Sequence, residues 1–339
     1  MIGLNSKITS VALINDSLFY FTNVLTNTGI ALIDALHDGH EATVPELVDE
    51  TGLSASQIYR TADELHNAGL IGDSRGHHNQ RILRVTGHPV IEAYRDLASQ
   101  LGHVDWPDLL SPATIRACWF LDAPRRVTTI VDRLGITRQA VHNALDPLKH
   151  RAMLSPSSPE YALVPDLQPL RDFADAVILH EHRNRVRGLA PSATVEWFDP
   201  NRALVHIHNA DDTAALQAAD EWGMTGLAKF TAFDLQFFLA GEPAFWYAPG
   251  ETLTPDQVVC HSLVADTGSR RVSYALLLIE HAQIAEKDLR NTATWYGLEP
   301  TVSDMYAFLK DEAEQRDCGD TVLPNPTEYE SLKSQYGVT

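Results

Sequence analysis

A chain of 339 residues with 44% hydrophobic content has room for two or three domains with cores of their own. Its net charge of −19, from 26 basic and 45 acidic side chains, runs against a nucleic-acid binder that is basic throughout. No stretch reaches the roughly 18 apolar residues of a membrane span, and Cys118, Cys260 and Cys318 are widely spaced without a Cys-x-x-Cys pair, so the expectation is a reduced, cytoplasmic protein with neither a membrane segment nor a structural zinc site.

The opening 21 residues alternate apolar and polar positions near Ile8–Ile14 and then cluster aromatics at Phe19–Phe21, suggesting a short lead-in element. One Lys and an interrupted apolar run do not make a signal peptide. Helical periodicity over Val24–Leu36 predicts a first helix. Thr43 with Glu46, and Ser54 with Gln57, are two capping boxes, so two short helices are expected on either side of Gly52. Ile58, Ala62 and Leu65 share one face of the second of these, which leaves Ser56, Gln57, Tyr59 and Arg60 facing outward. A hairpin should follow, with strands at Leu70–Ile71 and Gln80–Thr86 around a Gly72–His78 loop. Arg75, His77, His78, Arg81 and Arg84 decorate it. Pro89–Leu101 reads as an amphipathic helix and Gly102–Pro107 as a linker.

The same pattern recurs 83 residues later. Val48, Asp49, Gly52, Asp63 and Leu65 recur as Val131, Asp132, Gly135, Asp146 and Leu148, and Thr137 takes the capping place of Ser54. A helix over Pro112–Leu121 and a short strand at Arg125-Arg126 precede the repeat. After Thr137, the second outward edge holds Arg138, Gln139, His142 and Asn143, and Pro147 is expected to kink or end that helix early. The hairpin loop Ser155–Glu160 is neutral and rich in Pro and Ser.

Leu167–Gly188 reads as one long helix with a basic second half. Beyond it, strands are expected at Thr194–Phe198, Ala203–His208 and Phe245–Tyr247, with helices at Asp212–Trp222, Thr254–Ala265, Val272–Ile284, Lys287–Tyr296 and Thr301–Ala313. Residues 193–247 hold ten aromatics, enough for a core, an effector pocket or a dimer seam. The fold class is therefore α+β: two tandem helix-turn-helix units with wings, then a C-terminal α+β domain. The expected boundaries are 1–105, 106–166, a connector over 167–190, and 191–339.

Charge is distributed unevenly along this plan. Residues 1–110 have a net charge of −8, residues 111–165 of +3 and residues 189–339 of −14, so the acid lies away from the second repeat. Arg supplies most of the positive charge. Abundant Asp and Glu suit a protein kept soluble in concentrated salt, where self-repulsion is screened within a few ångströms.

The two Gly-turn units resemble ArsR/MarR-type winged-helix regulators of halophilic archaea. His180–Arg183 with Leu189-Ala-Pro resembles the connector of that family, and Val259-Cys-His, Tyr274–Ile279 and Tyr296-Gly-Leu-Glu are similar to its third domain. The resemblance implies a transcriptional regulator; the two outward helix edges add the expectation of sequence-specific binding to double-stranded DNA, with repression the expected sense, either by one protomer spanning two half-sites or by a homodimer joined through the third domain. A small-molecule or protein effector would act at the C-terminal domain. Base contact is expected from Arg138, Gln139, His142 and Asn143, with Ser56, Gln57, Tyr59 and Arg60 as counterparts. Phosphate contact is expected from Arg75, His77, Arg81 and Arg126. The third domain is also similar to nucleotidyltransferase-like domains, but Gly268-Ser269 is followed by Arg270-Arg271 and no carboxylate pair, so no enzymatic activity or cofactor is expected. His206 and His208 share a strand face without a third metal ligand nearby in sequence. An antitoxin-like protein-interaction module and a plasmid replication initiator remain alternatives.

Overall fold

The computed structural model describes residues 25–155, 159–237, 244–250, 252–264, 266–310 and 321–338. The lead-in element expected before Val24 and the middle of the second hairpin loop, residues 156–158, lie outside them. The chain is of the α+β class and divides into two compact units, one ending at Asn184 and the other starting at Arg185.

In the first unit, helix α1 (Asn27–Leu36) starts at Thr26, whose hydroxyl accepts the Gly29 N–H at 3.2 Å. Strand β1 (Ala42–Thr43) leads into α2 (Val44–Thr51) and α3 (Ala55–Asn67), followed by the hairpin β2 (Ile71–Arg75) and β3 (Arg81–Val85). The strand order is β1-β3-β2, all antiparallel. Strand β2 runs on to Arg75, so the predicted Gly72–His78 loop shrinks to five residues, with a single 3-10 turn at His77–Asn79. The polar sequence Gly-Asp-Ser-Arg hid a strand because beyond Ile71 it buries no residue and is held by pairing with β3. Ile30, Ile33, Leu36, Leu47, Ile58, Ala62, Leu65 and Leu83 are buried together as the apolar residues of this unit's first half.

Helix α4 (Pro89–Gln100) has its expected span, but residues 102–107 are not a linker. Asp105 caps a short helix α5 (Trp106–Leu109), and Trp106 is 1% exposed, so the segment belongs to the core. The second repeat comprises α6 (Pro112–Trp119), β4 (Arg125–Arg126), α7 (Val127–Leu134), α8 (Arg138–His150) and β5 (Glu160–Tyr161), which pairs antiparallel with β4. The buried Thr114 hydroxyl donates to the Ala144 carbonyl at 3.1 Å and ties α6 to α8. Helix α8 does not stop early at Pro147; it runs on to His150, held by the buried Val141, Ala144, Leu145 and Leu148. Packing on that apolar stripe outweighs the one backbone donor that the proline removes.

Helix α9 spans Gln168–Arg187. Its basic half buries His180 and His182 while Arg183 and Arg187 are exposed. Within the first unit it is fastened by Arg116–Glu181 at 2.6 Å, by Trp119 Nε1 donating to Asp175 at 3.1 Å, and by Phe173 edge-on to Tyr94.

The second unit is a four-stranded antiparallel sheet, β6 (Thr194–Phe198), β7 (Ala203–Ile207), β8 (Gly223–Thr225) and β9 (Ala244–Ala248), in the order β6-β7-β9-β8. Strand alternation splits its residues between two buried clusters. Leu204, Phe245 and Tyr247 join the core formed with helices α11 (Pro255–Val264), α12 (Ser269–His281), α13 (Glu286–Ala293), α14 (Glu299–Leu309) and α15 (Pro326–Tyr336). Ala203, Val205, Ile207 and Trp246 instead pack with Val186, Leu216 and Trp222. Helix α10 (Ala210–Gln217) ends five residues before the predicted Trp222, because residues 223–225 form the unpredicted edge strand β8. Asp211 and Asp212 lie in the first turn of this helix. Helix α12 lies three residues upstream of its predicted span, and α15 was not predicted at all. Among the described aromatics of residues 193–247, Phe230, Phe245 and Tyr247 are buried in the first of these clusters and Trp222 and Trp246 in the second.

Candidate nucleic-acid interface

Both repeats turn their polar edges outward by the same local device. Gly52 and Gly135 sit after α2 and α7 at φ 69° and 66°, a left-handed conformation that costs a side-chain-bearing residue. The chain then re-enters a helix at Ser54 and Thr137, each capping with its hydroxyl. Since the apolar stripes of α3 and α8 are fully buried, the remaining residues of their first two turns are left facing water.

On α3, Ser56, Tyr59 and Arg60 are exposed, Tyr59 to 46%. Arg60 lies 4.0 Å from Glu64. Gln57 is less available than the sequence suggests. Its Oε1 accepts from the Ser54 N–H at 3.0 Å and the Ser54 hydroxyl at 2.7 Å, so a bidentate contact to a base would break the cap. Glu46 does the same for Thr43, whose backbone N–H and hydroxyl hold its carboxyl below the usual range.

On α8, Arg138, Gln139 and Asn143 are exposed and His142 is half-buried, its ring edge-on to Tyr161 at 6.4 Å. Gln139 Nε2 donates to Asn143 Oδ1 at 2.7 Å across one turn. Arg with Gln and Asn is the set of side chains able to form paired hydrogen bonds to guanine and adenine edges.

The residues expected at phosphate divide into two groups. Arg75 and His77 stand exposed at the hairpin tip, with Arg75 Nη1 donating to the Asn79 carbonyl at 3.3 Å. Arg126 is 67% exposed, 3.5 Å from Glu160. Arg81 must be withdrawn. Its side chain is only 10% exposed and is held between Asp63 at 2.6 Å and Asp73 at 2.9 Å. Burial lowers its pKa, but the two carboxylates more than offset that and raise it overall, as for a permanent internal cation. The tip itself contains a feature missed in sequence, consecutive left-handed residues His78 (φ 55°) and Asn79 (φ 61°). Non-glycine residues there are uncommon and mark a shaped turn.

The second unit offers two other groupings. His206 and His208 have ring centroids 4.2 Å apart with Glu196 3.6 Å from His206, yet among the described residues no group of three or more His, Cys, Asp or Glu is placed to hold a metal. A cavity of about 410 Å3 opens beside α12 and α15, lined by Arg270, Ser273, Tyr274, Tyr329 and Leu332. Cys118 and Cys260 are buried, and burial pushes the Cys118 thiol up to about 12. Among the described residues no helix is long and apolar enough to cross a membrane. No curated protein matches the chain. Residues 219–338, covering the second unit from the approach to β8 onward, match the model of a family described as HVO_2833_C, C-terminal, a description that names no activity.

Proposed function

We propose that the first unit is a tandem pair of winged helices that binds double-stranded DNA and that the protein is a cytoplasmic transcriptional regulator acting as a repressor. One observation carries this reading. The same helix–glycine–helix arrangement occurs twice, 83 residues apart, followed by the β2–β3 hairpin in the first copy and by the Leu154–Leu163 bridge and the β4–β5 pair in the second, and each time an apolar stripe is buried and a polar helix edge is left exposed. Arg138, Gln139, His142 and Asn143 form the edge turned toward the bases, with Ser56, Tyr59 and Arg60 as the weaker counterpart. Arg75, His77 and Arg126 contact phosphate. The second unit is assigned to homodimerisation and effector binding, the 410 Å3 cavity being within the size range of small-molecule sites.

Genome-wide recovery of DNA bound to the protein in its own cells tests this directly. The expected result is a sharp shared motif upstream of genes, lost when Arg138 and Asn143 are both changed to Ala. A flat profile would refute it and favour a protein-interaction module. Recovery confined to clustered origin repeats would point to a replication initiator.

A further inference from the structure

The edge of α8 that carries Gln139 and Asn143 shows more than the presence of polar groups. An asparagine amide has one acceptor and one donor end, and an exposed one can present them in either order. Adenine in the major groove offers N7, an acceptor, beside N6–H, a donor, so only one order fits. Here the Gln139 amide donates to Asn143 Oδ1 at 2.7 Å, which identifies the oxygen end and holds it. One lone pair of Oδ1 is thereby used. The other lone pair and the Asn143 Nδ2–H remain for an outside partner, and that is an adenine-shaped pair. The backbone beneath is fixed, because Val141, Ala144 and Leu145 are buried on either side.

We infer that Asn143 reads an adenine in duplex DNA and that Gln139 is the positioning residue that sets its amide, an inference resting on the DNA-binding function proposed above. The first repeat lacks the device. Ser56 and Arg60 occupy the equivalent places 83 residues earlier; Ser56 lies 3.2 Å from the Ser54 hydroxyl and Arg60 leans toward Glu64. The two helices of one chain therefore read different sequences, and the half-site that each protomer recognises is asymmetric, with its fixed adenine under the second repeat.

The test selects from a pool of randomised duplex DNA with the full-length protein and reads base preference by sequencing. The wild type should prefer adenine about tenfold at one position. Asn143→Ala should erase that preference while other positions keep theirs, and Asn143→Asp, which can only accept, should move it to cytosine. Gln139→Ala should weaken it about twofold, the weight of a one-turn side-chain pair, whereas Gln139→Lys, still a donor, should retain it. Because Gln139 acts through Asn143, the double alanine variant should be no worse than Asn143→Ala. A motif that keeps its adenine in Asn143→Ala, or additive losses in the double variant, would overturn the inference and leave DNA binding intact. A wild type that enriches nothing would overturn the DNA-binding reading itself.

Discussion

Replacing Gly52 or Gly135 by alanine isolates the turn on which both repeats depend. A Cβ built at either position meets no atom within 4 Å, so the substitution brings no steric clash. What remains is the backbone: φ is 69° at Gly52 and 66° at Gly135, and an L-residue pays about 1–2 kcal/mol there. Alanine recovers about 0.4–1 kcal/mol by restricting the unfolded chain. The net expectation is a loss of about 1 kcal/mol at each site, equal within error because the two geometries are equal. Urea unfolding followed by far-UV circular dichroism should show each variant's N-terminal-unit midpoint lowered by roughly 0.3–1 M, given typical denaturant slopes. Gly52→Asn should cost less than Gly52→Ala, since asparagine tolerates the left-handed region. Gly250→Ala is the contrast. There a Cβ would lie 3.0 Å from the Asp220 carbonyl oxygen and the Trp222 carbonyl carbon, both backbone, so the chain must move and the loss should be about 2 kcal/mol or more. Alanine variants of Gly52 and Gly135 with wild-type midpoints, or an asparagine costing more than alanine, would refute the conformational argument.

Three further outcomes are expected. Arg81→Ala should destabilise the first unit by about 1–2 kcal/mol, held down by the exposure of Asp63, yet leave the salt dependence of DNA binding unchanged; Arg75→Ala should reduce that slope by about 1. Trp106→Ala should cost about 3–5 kcal/mol in thermal or urea unfolding if residues 102–107 are core, and almost nothing if they are a linker. His261 is fully buried, with Thr225 Oγ1 2.8 Å from Nδ1 and Tyr296 OH 2.8 Å from Nε2, and burial drives its pKa down to about 3. An unfolded histidine takes its proton near pH 6.5. Stability of the second unit should therefore be full above that pH and fall as pH drops toward 3, by up to about 1.4 kcal/mol per unit; His261→Gln should flatten this dependence in urea midpoints measured between pH 7 and 4.

What could be read from sequence followed local rules. Capping boxes and glycines placed α2 and α3, and the end of α7 and start of α8 around Gly135 and Thr137, because their chemistry is contained within four positions. What could not be read depended on distant partners. Residues 72–75 become a strand only because β3 pairs with them, and residues 223–225 only because β9 does. Pro147 looked like a helix end until the buried stripe beneath it outweighed one lost hydrogen bond. Arg81 looked like a hairpin cation, and nothing in its neighbours announced Asp63, eighteen residues upstream. At the candidate site the outward residues were legible from periodicity, while the Gln57 cap and the Gln139–Asn143 bond, which decide what those residues can do, were only partly so. The capping box was visible, but not that it consumes the side chain's acceptor.

The acidic charge of the whole chain ceases to oppose DNA binding once the cations are located. In the first repeat three of them already have partners within the unit: Arg81 is held by Asp63 and Asp73, Arg84 by Glu41, and Arg95 by Glu92 and the His37 carbonyl. In the second repeat Arg138 and Lys149 are exposed on α8, and among the described residues neither has a carboxylate within ion-pair distance. Of the three segments compared above, this repeat's is the one with net positive charge, +3 over residues 111–165. On the proposed function, α8 is therefore the principal reader, and the number of phosphates neutralised is small. Each contributes about −0.9 to the slope of log affinity against log salt, so two or three give a slope near −2 to −3. A binder of that kind would lose little as salt rises and would draw its specificity from short hydrogen bonds to base edges, such as the one proposed for Asn143.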